Sequence, residues 1–187
     1  MNDQWFATLD GLLGRAWQRL DAGTRDDSAP GRLIALATVR ADGSAAVRNV
    51  VIRRVIEGEA RIDIQTDLMS AKVSELRAFP RAELLAWIPD DDLQIRASVH
   101  VRVENGPEVD PDWGALAPPA RVSYGGAPAP GRPLDDPTTY RETAERDRFA
   151  RLNCRVTGLD LVHLGATLHR RALFADSDGF AGAWVGP

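Results

Sequence analysis

Lys72 is the residue of this chain whose type and position suggest chemistry most directly, because it is the single lysine among 23 basic residues. Ser70 is a favourable N-cap for a helix over residues 71–79, which Pro80 ends. Lys72 then lies in the first helical turn, where the macrodipole disfavours a cation by about 0.3–1 kcal/mol. An anion such as phosphate at this helix end would offset that cost. The alternative is a solvated lysine that pairs with Glu75 one turn further on.

Two arginines precede this segment in a strand-like run over residues 46–53, after an Asp42-Gly43 hairpin signal. Arg48 and Arg53 are five residues apart, so they lie on opposite faces of a strand and about 16 Å apart. One of them can meet a phosphate while the other serves a different group. The alternative is that both are rim residues that cover the sheet edge.

These residues form part of a longer ordered pattern that resembles the FMN-binding half of the pyridoxamine 5'-phosphate oxidase-like family. Each short string is common, but their order and spacing together are fairly specific. The strings are Arg48-Asn49-Val50-Val51-Ile52-Arg53, Gln65-Thr66-Asp67, Ser70-Ala71-Lys72, Pro80 and Gln94-Ile95-Arg96. The clear part of the resemblance covers residues 30–105.

The resemblance implies FMN as the cofactor and assigns its contacts in three groups. The FMN phosphate would be held by Arg48, Ser70 and Lys72. The isoalloxazine ring would lie beside the strand at Asn49, Val50 and Val51, with Gln65 and Thr66 at its edge. Gln94 and, in the closing strand, Arg171 would complete the flavin contacts.

The resemblance also implies three substrate residues, namely Arg53, His169 and Arg121. Arg53 stands where the family oxidase has a lysine that reaches the substrate phosphate, and His169 keeps a substrate position. Arg121, together with Ser123 and Tyr124, would belong to a lid over the flavin. The alternative for residues 105–137 is a surface excursion with a short helix near Trp113.

Three departures from the family pattern stand out: the first removes one cation from the FMN phosphate site, and the other two argue against the oxidase reaction itself. Ala71 stands where the oxidase usually has a second basic residue on the phosphate. Thr167 stands where it has a substrate arginine, and Leu161 or a neighbour where it has a flavin-stacking tryptophan.

Composition restricts the remaining classes of function. A net charge of −4 and a pI near 5.4 argue against nucleic-acid binding, which needs a basic patch. No apolar stretch reaches the ~20 residues of a membrane span, and no signal peptide is visible. Cys154 is alone in the chain, which favours a reducing, cytoplasmic compartment. The three histidines have no spacing with other ligands that suggests a metal site.

The elements predicted from periodicity favour a mainly β (α+β) fold over residues 1–187 as a single domain. Residues 1–22 read as an amphipathic helix that covers the barrel end or a partner subunit, and residues 105–137 as irregular. Strands in hairpins with one inserted helix favour a closed barrel over a parallel sheet. The predicted strands are 33–39, 46–53, 60–66, 82–88, 93–104, 149–164 and 168–175.

The sequence therefore predicts an FMN-binding split β-barrel with an N-terminal helix and short peripheral helices. The expected function is an FMN-dependent oxidoreductase of unknown small-molecule substrate. Two alternatives remain open, which are the pyridoxamine 5'-phosphate oxidase reaction and a non-catalytic flavin carrier or redox sensor. The resemblance further implies a homodimer with flavin sites at the subunit interface.

Overall fold

A six-stranded antiparallel barrel forms the body of the molecule, as seen in a computed structural model that describes residues 4–187. Neighbouring strands pair in the order β3-β2-β1-β4-β5-β6, and a further β3–β6 pairing closes the barrel. The prediction of a mainly β closed barrel is therefore confirmed. The strands are β1 (Leu33–Val39), β2 (Ala45–Ile56), β3 (Arg61–Asp67), β4 (Arg81–Ile88), β5 (Leu93–Asn105) and β6 (Phe149–Leu164).

Two more strands extend the sheet beyond β6, namely β7 (His169–Ala175) and β8 (Ala183–Val185). The 16 residues of β6 are enough to pair with β3 along the first half and with β7 along the second half. The short strand β8 was not predicted, because three residues are too few for an alternating pattern.

The barrel core follows from the alternation of side chains along each strand. In β5 every second residue from Leu93 to Val101 is buried, and the side chains between them are more exposed. The same alternation in β2 buries Val50 and Ile52 and turns Asn49 and Val51 outwards. Asn49 and Val51 therefore lie on the outer surface of the barrel.

The N-terminal helix α1 (Leu9–Arg25) packs its apolar face, with Leu12 and Trp17 fully or almost fully buried, onto the barrel core. The predicted span of 1–22 was wrong at both ends. Thr8 caps the helix by accepting a hydrogen bond from the Gly11 amide at 3.1 Å, and the helix then continues through part of the expected linker. Residues 1–3 of the prediction lie outside the described part of the chain.

A second helix, α2 (Ala71–Ala78), connects β3 to β4 close to the predicted position. Two short helices, α3 (Asp110–Ala115) and α4 (Pro118–Arg121), lie in the irregular region. That region runs to residue 148 rather than ending at 137, because regular pairing resumes only where β6 begins. No helix within residues 4–187 is long and apolar enough to cross a membrane.

Candidate functional site

A cleft of about 350 Å³ lies where β2, the end of β3 and the start of α2 meet the irregular region. Residues of β2 form its apolar floor. Residues at the end of β3 and at the start of α2 form its polar end. Eight residues predicted from the sequence line it: Asn49, Val50, Val51, Arg53, Gln65, Thr66, Ser70 and Lys72.

Lys72 forms the polar end of the cleft together with two hydroxyl groups. Its ammonium donates to Thr66 Oγ1 at 2.9 Å and to Ser70 Oγ at 3.1 Å. Ser70 occupies the N-cap position of α2, as predicted, but its hydroxyl makes no capping bond. Within residues 4–187, no carboxylate lies within 4.0 Å of the Lys72 ammonium.

The alternative of a Lys72–Glu75 pair is wrong, because Glu75 is bound by Arg48 instead. Arg48 Nη2 lies 2.8 Å from Glu75 Oε2, and the Thr38 hydroxyl donates to the same oxygen at 2.5 Å. Burial lowers the pKa of Lys72, the charge of Arg48 lowers it further, and the charges of Asp67 and Glu75 oppose the decrease. An anion in the cleft would counteract this destabilisation of the ammonium.

Arg48 therefore lies beneath α2 and does not line the cleft. It shares the inward parity of Val50 and also donates to Thr38 Oγ1 and to the Leu36 carbonyl. The positive charge of Arg48 lowers the pKa of Lys72. Direct contact of Arg48 with a phosphate stays a prediction.

Arg53 is a second cation that lines the cleft. The β2–β3 register shifts between Ile52 and Arg54, and this bulge places Arg53 at the cleft wall. Within the described chain, Arg53 makes no ion pair with a carboxylate. Burial raises the pKa of the facing Tyr124 hydroxyl, and the charge of Arg53 partly opposes that increase.

The outer wall of the cleft comes from the irregular region, at Ser123 and Tyr124. Tyr124 is buried, packs edge-on against Phe149 at 4.9 Å between ring centroids, and has its hydroxyl 3.5 Å from Gln65 Oε1. Arg121 is not brought to the cleft. Its guanidinium lies over the Trp113 ring and donates to the Gly114 carbonyl at 3.3 Å.

Gln94, Arg171 and His169 lie on a different part of the barrel and do not line the cleft. Gln94 and Arg171 both pair with Val162, from opposite sides of β6, so they share one outward face. Arg171 donates to Asp160 through Nε at 2.9 Å and Nη2 at 2.8 Å, and His169 is exposed at the start of β7. A single chain does not bring these residues to the cleft.

Sequence analysis missed the role of two residues beside the cleft, Asp67 and Arg148. Asp67 directly follows Thr66 and is almost fully buried, and Arg148 Nη2 lies 2.7 Å from its Oδ2. The only signal was an acidic residue at the end of a strand, because the two partners are 81 residues apart along the chain. No group of three or more His, Cys, Asp or Glu side chains within residues 4–187 could hold a metal ion.

Comparison with known proteins gives a consistent result. The family model for the pyridoxamine 5'-phosphate oxidase FMN-binding domain matches residues 14–104, which include the Lys72 end of the cleft. The pyridoxine/pyridoxamine 5'-phosphate oxidase 2 of Arabidopsis thaliana is 32% identical over 110 residues, covering 54% of this chain and 55% of that protein. The chain thus spans about half the length of this curated relative.

Two solved structures have the same fold. A pyridoxamine 5'-phosphate oxidase-related, FMN binding protein from Nostoc punctiforme superposes with a TM-score of 0.75 at 23% identity, covering 92% of this chain and 96% of that one. PhzG from Burkholderia lata, in complex with tetrahydrophenazine-1-carboxylic acid, gives 0.73 at 18% identity, covering 94% and 91%. At these identities the two structures establish the fold alone.

Together, the fold and the family model identify a split β-barrel of the FMN-binding type. The match of residues 14–104 to the FMN-binding domain of the pyridoxamine 5'-phosphate oxidase family, together with the shared fold, confirms the resemblance seen in the sequence.

Proposed function

We propose that the chain binds FMN in the cleft, with the phosphate at the Lys72 end. The observation that carries this proposal is the Lys72 ammonium, held by Thr66 and Ser70 hydroxyls with no carboxylate in salt-bridge range within the described residues. A phosphate monoester offers three acceptor oxygens and nearly two negative charges to such a set of donors. These residues fit the phosphate of FMN, and riboflavin lacks that group.

The rest of the cleft fits the flavin ring. Val50 and Val51 supply a flat strand surface, and Asn49 and Gln65 supply polar groups near its edge. A volume of about 350 Å³ lies within the range of small-molecule sites, which begins at roughly 300 Å³. Bound FMN would supply the electron-transfer chemistry, and the protein would orient the ring and its partner molecule.

We propose an FMN-dependent oxidoreductase of a small molecule as the overall function. Arg53 supports a substrate site next to the ring, because its guanidinium borders the cleft without a carboxylate partner in residues 4–187. The Tyr124 hydroxyl faces the same space and can donate a hydrogen bond.

The pyridoxamine 5'-phosphate oxidase reaction is the second candidate. The name of the Arabidopsis thaliana relative favours it, and Arg53 would supply a cation for a substrate phosphate. Thr167 and Leu161, in place of an arginine and a tryptophan, argue against it.

A homodimer would complete the site. Strand register places Ala35 beside Leu85, Leu85 beside Arg96, and Trp87 beside Gln94, so one outward face runs from β1 next to the cleft to Gln94. Leu85 and Trp87 in its middle are more than 40% exposed. A two-fold axis through this apolar area would bring Gln94 and Arg171 of one copy to the cleft of the other.

Titration of the FMN-free protein with FMN, followed by flavin fluorescence and absorbance, tests the binding step. Turnover of the flavin with NADH or NADPH would support an oxidoreductase, and hydrogen peroxide release with pyridoxamine 5'-phosphate would select the second candidate. Stoichiometric FMN binding without turnover with any tested donor would favour a carrier or sensor. Absence of FMN binding would refute the proposal.

A further inference from the structure

The carboxylate of Asp67 is the most heavily used acceptor beside the cleft. It accepts from the Met69 amide at 2.7 Å, from the Gly125 amide at 3.1 Å, and from Arg148 Nε and Nη2 at 3.2 and 2.7 Å. Both partners are largely buried, with 6% of the Asp67 side chain and 15% of the Arg148 side chain exposed. Pairs of this kind depend on both partners, since removing one leaves a buried charge without compensation.

Arg148 connects the same carboxylate to the wall of the cleft. Its Nη1 donates to the Gly126 carbonyl at 2.8 Å, while its own carbonyl accepts from the Leu68 amide at 2.7 Å. Asp67 at the end of β3 and Arg148 directly before β6 thus hold Gly125 and Gly126 in place, and Tyr124 directly precedes these glycines in the chain.

The backbone at Gly125 has little conformational freedom in this attachment. Its φ is +137°, and a Cβ at this position would lie 2.4 Å from the Thr143 carbonyl oxygen. An L-side chain would therefore be both strained and sterically blocked. The position of Tyr124 is set by this backbone rather than by the regular pairing of a strand.

Asp67 also acts on the charge of the cleft, because it lines the cleft near Lys72 and opposes the decrease in the Lys72 pKa. An uncompensated carboxylate here would repel a phosphate. Arg148 can therefore have two separate roles. It neutralises the charge of Asp67, and it holds the outer wall of the cleft in position.

We propose that the Asp67–Arg148 pair is a positioning clamp that fixes Tyr124 as the outer wall of the cleft and so controls access to the cofactor. The last step, control of access, rests on the proposed FMN site, whereas the clamp itself does not. Tyr124 is thereby a specificity-determining residue, because its ring limits the space beside Arg53 and Gln65.

Hydrogen exchange of the FMN-free protein, measured by mass spectrometry over residues 121–128, tests the clamp without any ligand. Arg148→Gln removes the bond to the Gly126 carbonyl, and Asp67→Asn weakens the acceptor of the Gly125 amide, so each should speed exchange of this segment about tenfold, the factor for one lost hydrogen bond of average strength. Arg146→Gln is the matched control, because Arg146 also binds an aspartate, Asp110, and a glycine carbonyl, that of Gly106, away from the cleft. Unchanged exchange in both clamp variants would overturn the proposal.

The rate of FMN release then separates positioning from simple electrostatics. A clamp predicts faster release from Arg148→Gln and from Asp67→Asn alike, whereas a purely electrostatic role predicts faster release from Arg148→Gln only. Gly125→Ala changes no charge and should also speed release, because the clash of its Cβ with the Thr143 carbonyl displaces the wall, and any one of the three variants that folds keeps the test available. Release unchanged in Asp67→Asn and Gly125→Ala would refute control of access. A wild-type protein that binds no FMN would instead refute the proposed function and leave the exchange experiment to decide on the clamp.

Discussion

Lys72 combines a cation, two hydroxyl partners and partial burial at one end of a cleft. Its charged form is disfavoured by the protein alone, because burial and the charge of Arg48 both lower its pKa. An ion that supplies negative charge from the cleft side would relieve that cost. The residue is thus better suited to holding a ligand than to stabilising the fold.

Replacing Lys72 by alanine should weaken FMN binding by about 1.5–3 kcal/mol, or roughly 10- to 150-fold, the range for a hydrogen bond to a charged group. The free energy of unfolding of the FMN-free protein should change little, since the ammonium is destabilised there. Fluorescence titration and urea unfolding measure the two quantities. Arg77→Ala, an exposed cation in the last turn of the same helix, is the control and should leave FMN affinity unaltered. Equal affinities of wild type and Lys72→Ala would remove Lys72 from the site.

Cys154 lies on β6 inside the barrel and is fully buried. Burial raises the pKa of its thiol well above the ordinary value. The native protein at pH 8 should therefore resist thiol reagents, because the reactive thiolate is absent and access is blocked. A colorimetric thiol assay should detect no reaction in the native state and one thiol after unfolding. Fast labelling of the native protein would contradict the described core.

At the scale of elements, helix α1 is held to the barrel by charge as well as by apolar packing. Arg15 and Arg19 each donate two hydrogen bonds to Asp91, which lies in the β4–β5 connection, at 2.6–2.7 Å. Burial alone would raise the pKa of Asp91, but the hydrogen bonds from Arg19 and Arg15 lower it to about 2.

This pair predicts a specific pH dependence of stability. The folded-state pKa of Asp91 is below the unfolded value of 3.8, so the contribution is present above about pH 4 and is lost as pH falls through about 2. Its size is about 2 kcal/mol by linkage. Urea unfolding between pH 2 and pH 6 should show that Asp91→Asn is less stable than wild type at pH 6 and that the difference shrinks on acidification. Asp90→Asn, an exposed neighbour, serves as the control, and a pH-independent difference would contradict the linkage.

The local sequence pattern was sufficient to predict most helices and strands, but not the contacts between them. Alternation located β5 to within one residue, and Pro80 correctly marked the end of α2, because both signals lie within a few residues. Register and bulges come from pairing between distant strands, so the position of Arg53 relative to the cleft was beyond the sequence. The attachment of Tyr124 was likewise hidden, since Asp67 and Arg148 meet only after the barrel closes.

At the scale of the whole molecule, the predicted cofactor residues divide into two groups on different parts of one chain. Lys72, Ser70 and Thr66 line the cleft, while Gln94 and Arg171 occupy the outward face near Val162. The sequence pattern could suggest both groups but not their separation. Two copies related by a two-fold axis would reconcile them, and that assembly stays a prediction, as does the single domain over residues 1–187.

A site shared between two copies would link FMN binding to dimerisation. Trp87→Glu should disrupt the apolar face, produce a monomer and reduce FMN retention together, because a buried charge at an interface is costly. Light scattering with absorbance at flavin wavelengths measures both. Leu134→Glu changes an exposed apolar residue of the irregular region and should affect neither property. A Trp87→Glu monomer that keeps stoichiometric FMN would contradict the shared site.

Calorimetric titration of the wild-type protein with FMN and with riboflavin tests the phosphate site most directly, because the two ligands differ only in the phosphate. Charge-assisted donors at Lys72, Thr66 and Ser70 predict that FMN binds at least about tenfold more tightly than riboflavin, and that Lys72→Ala removes most of this preference. Equal dissociation constants for the two ligands would contradict a phosphate site at Lys72.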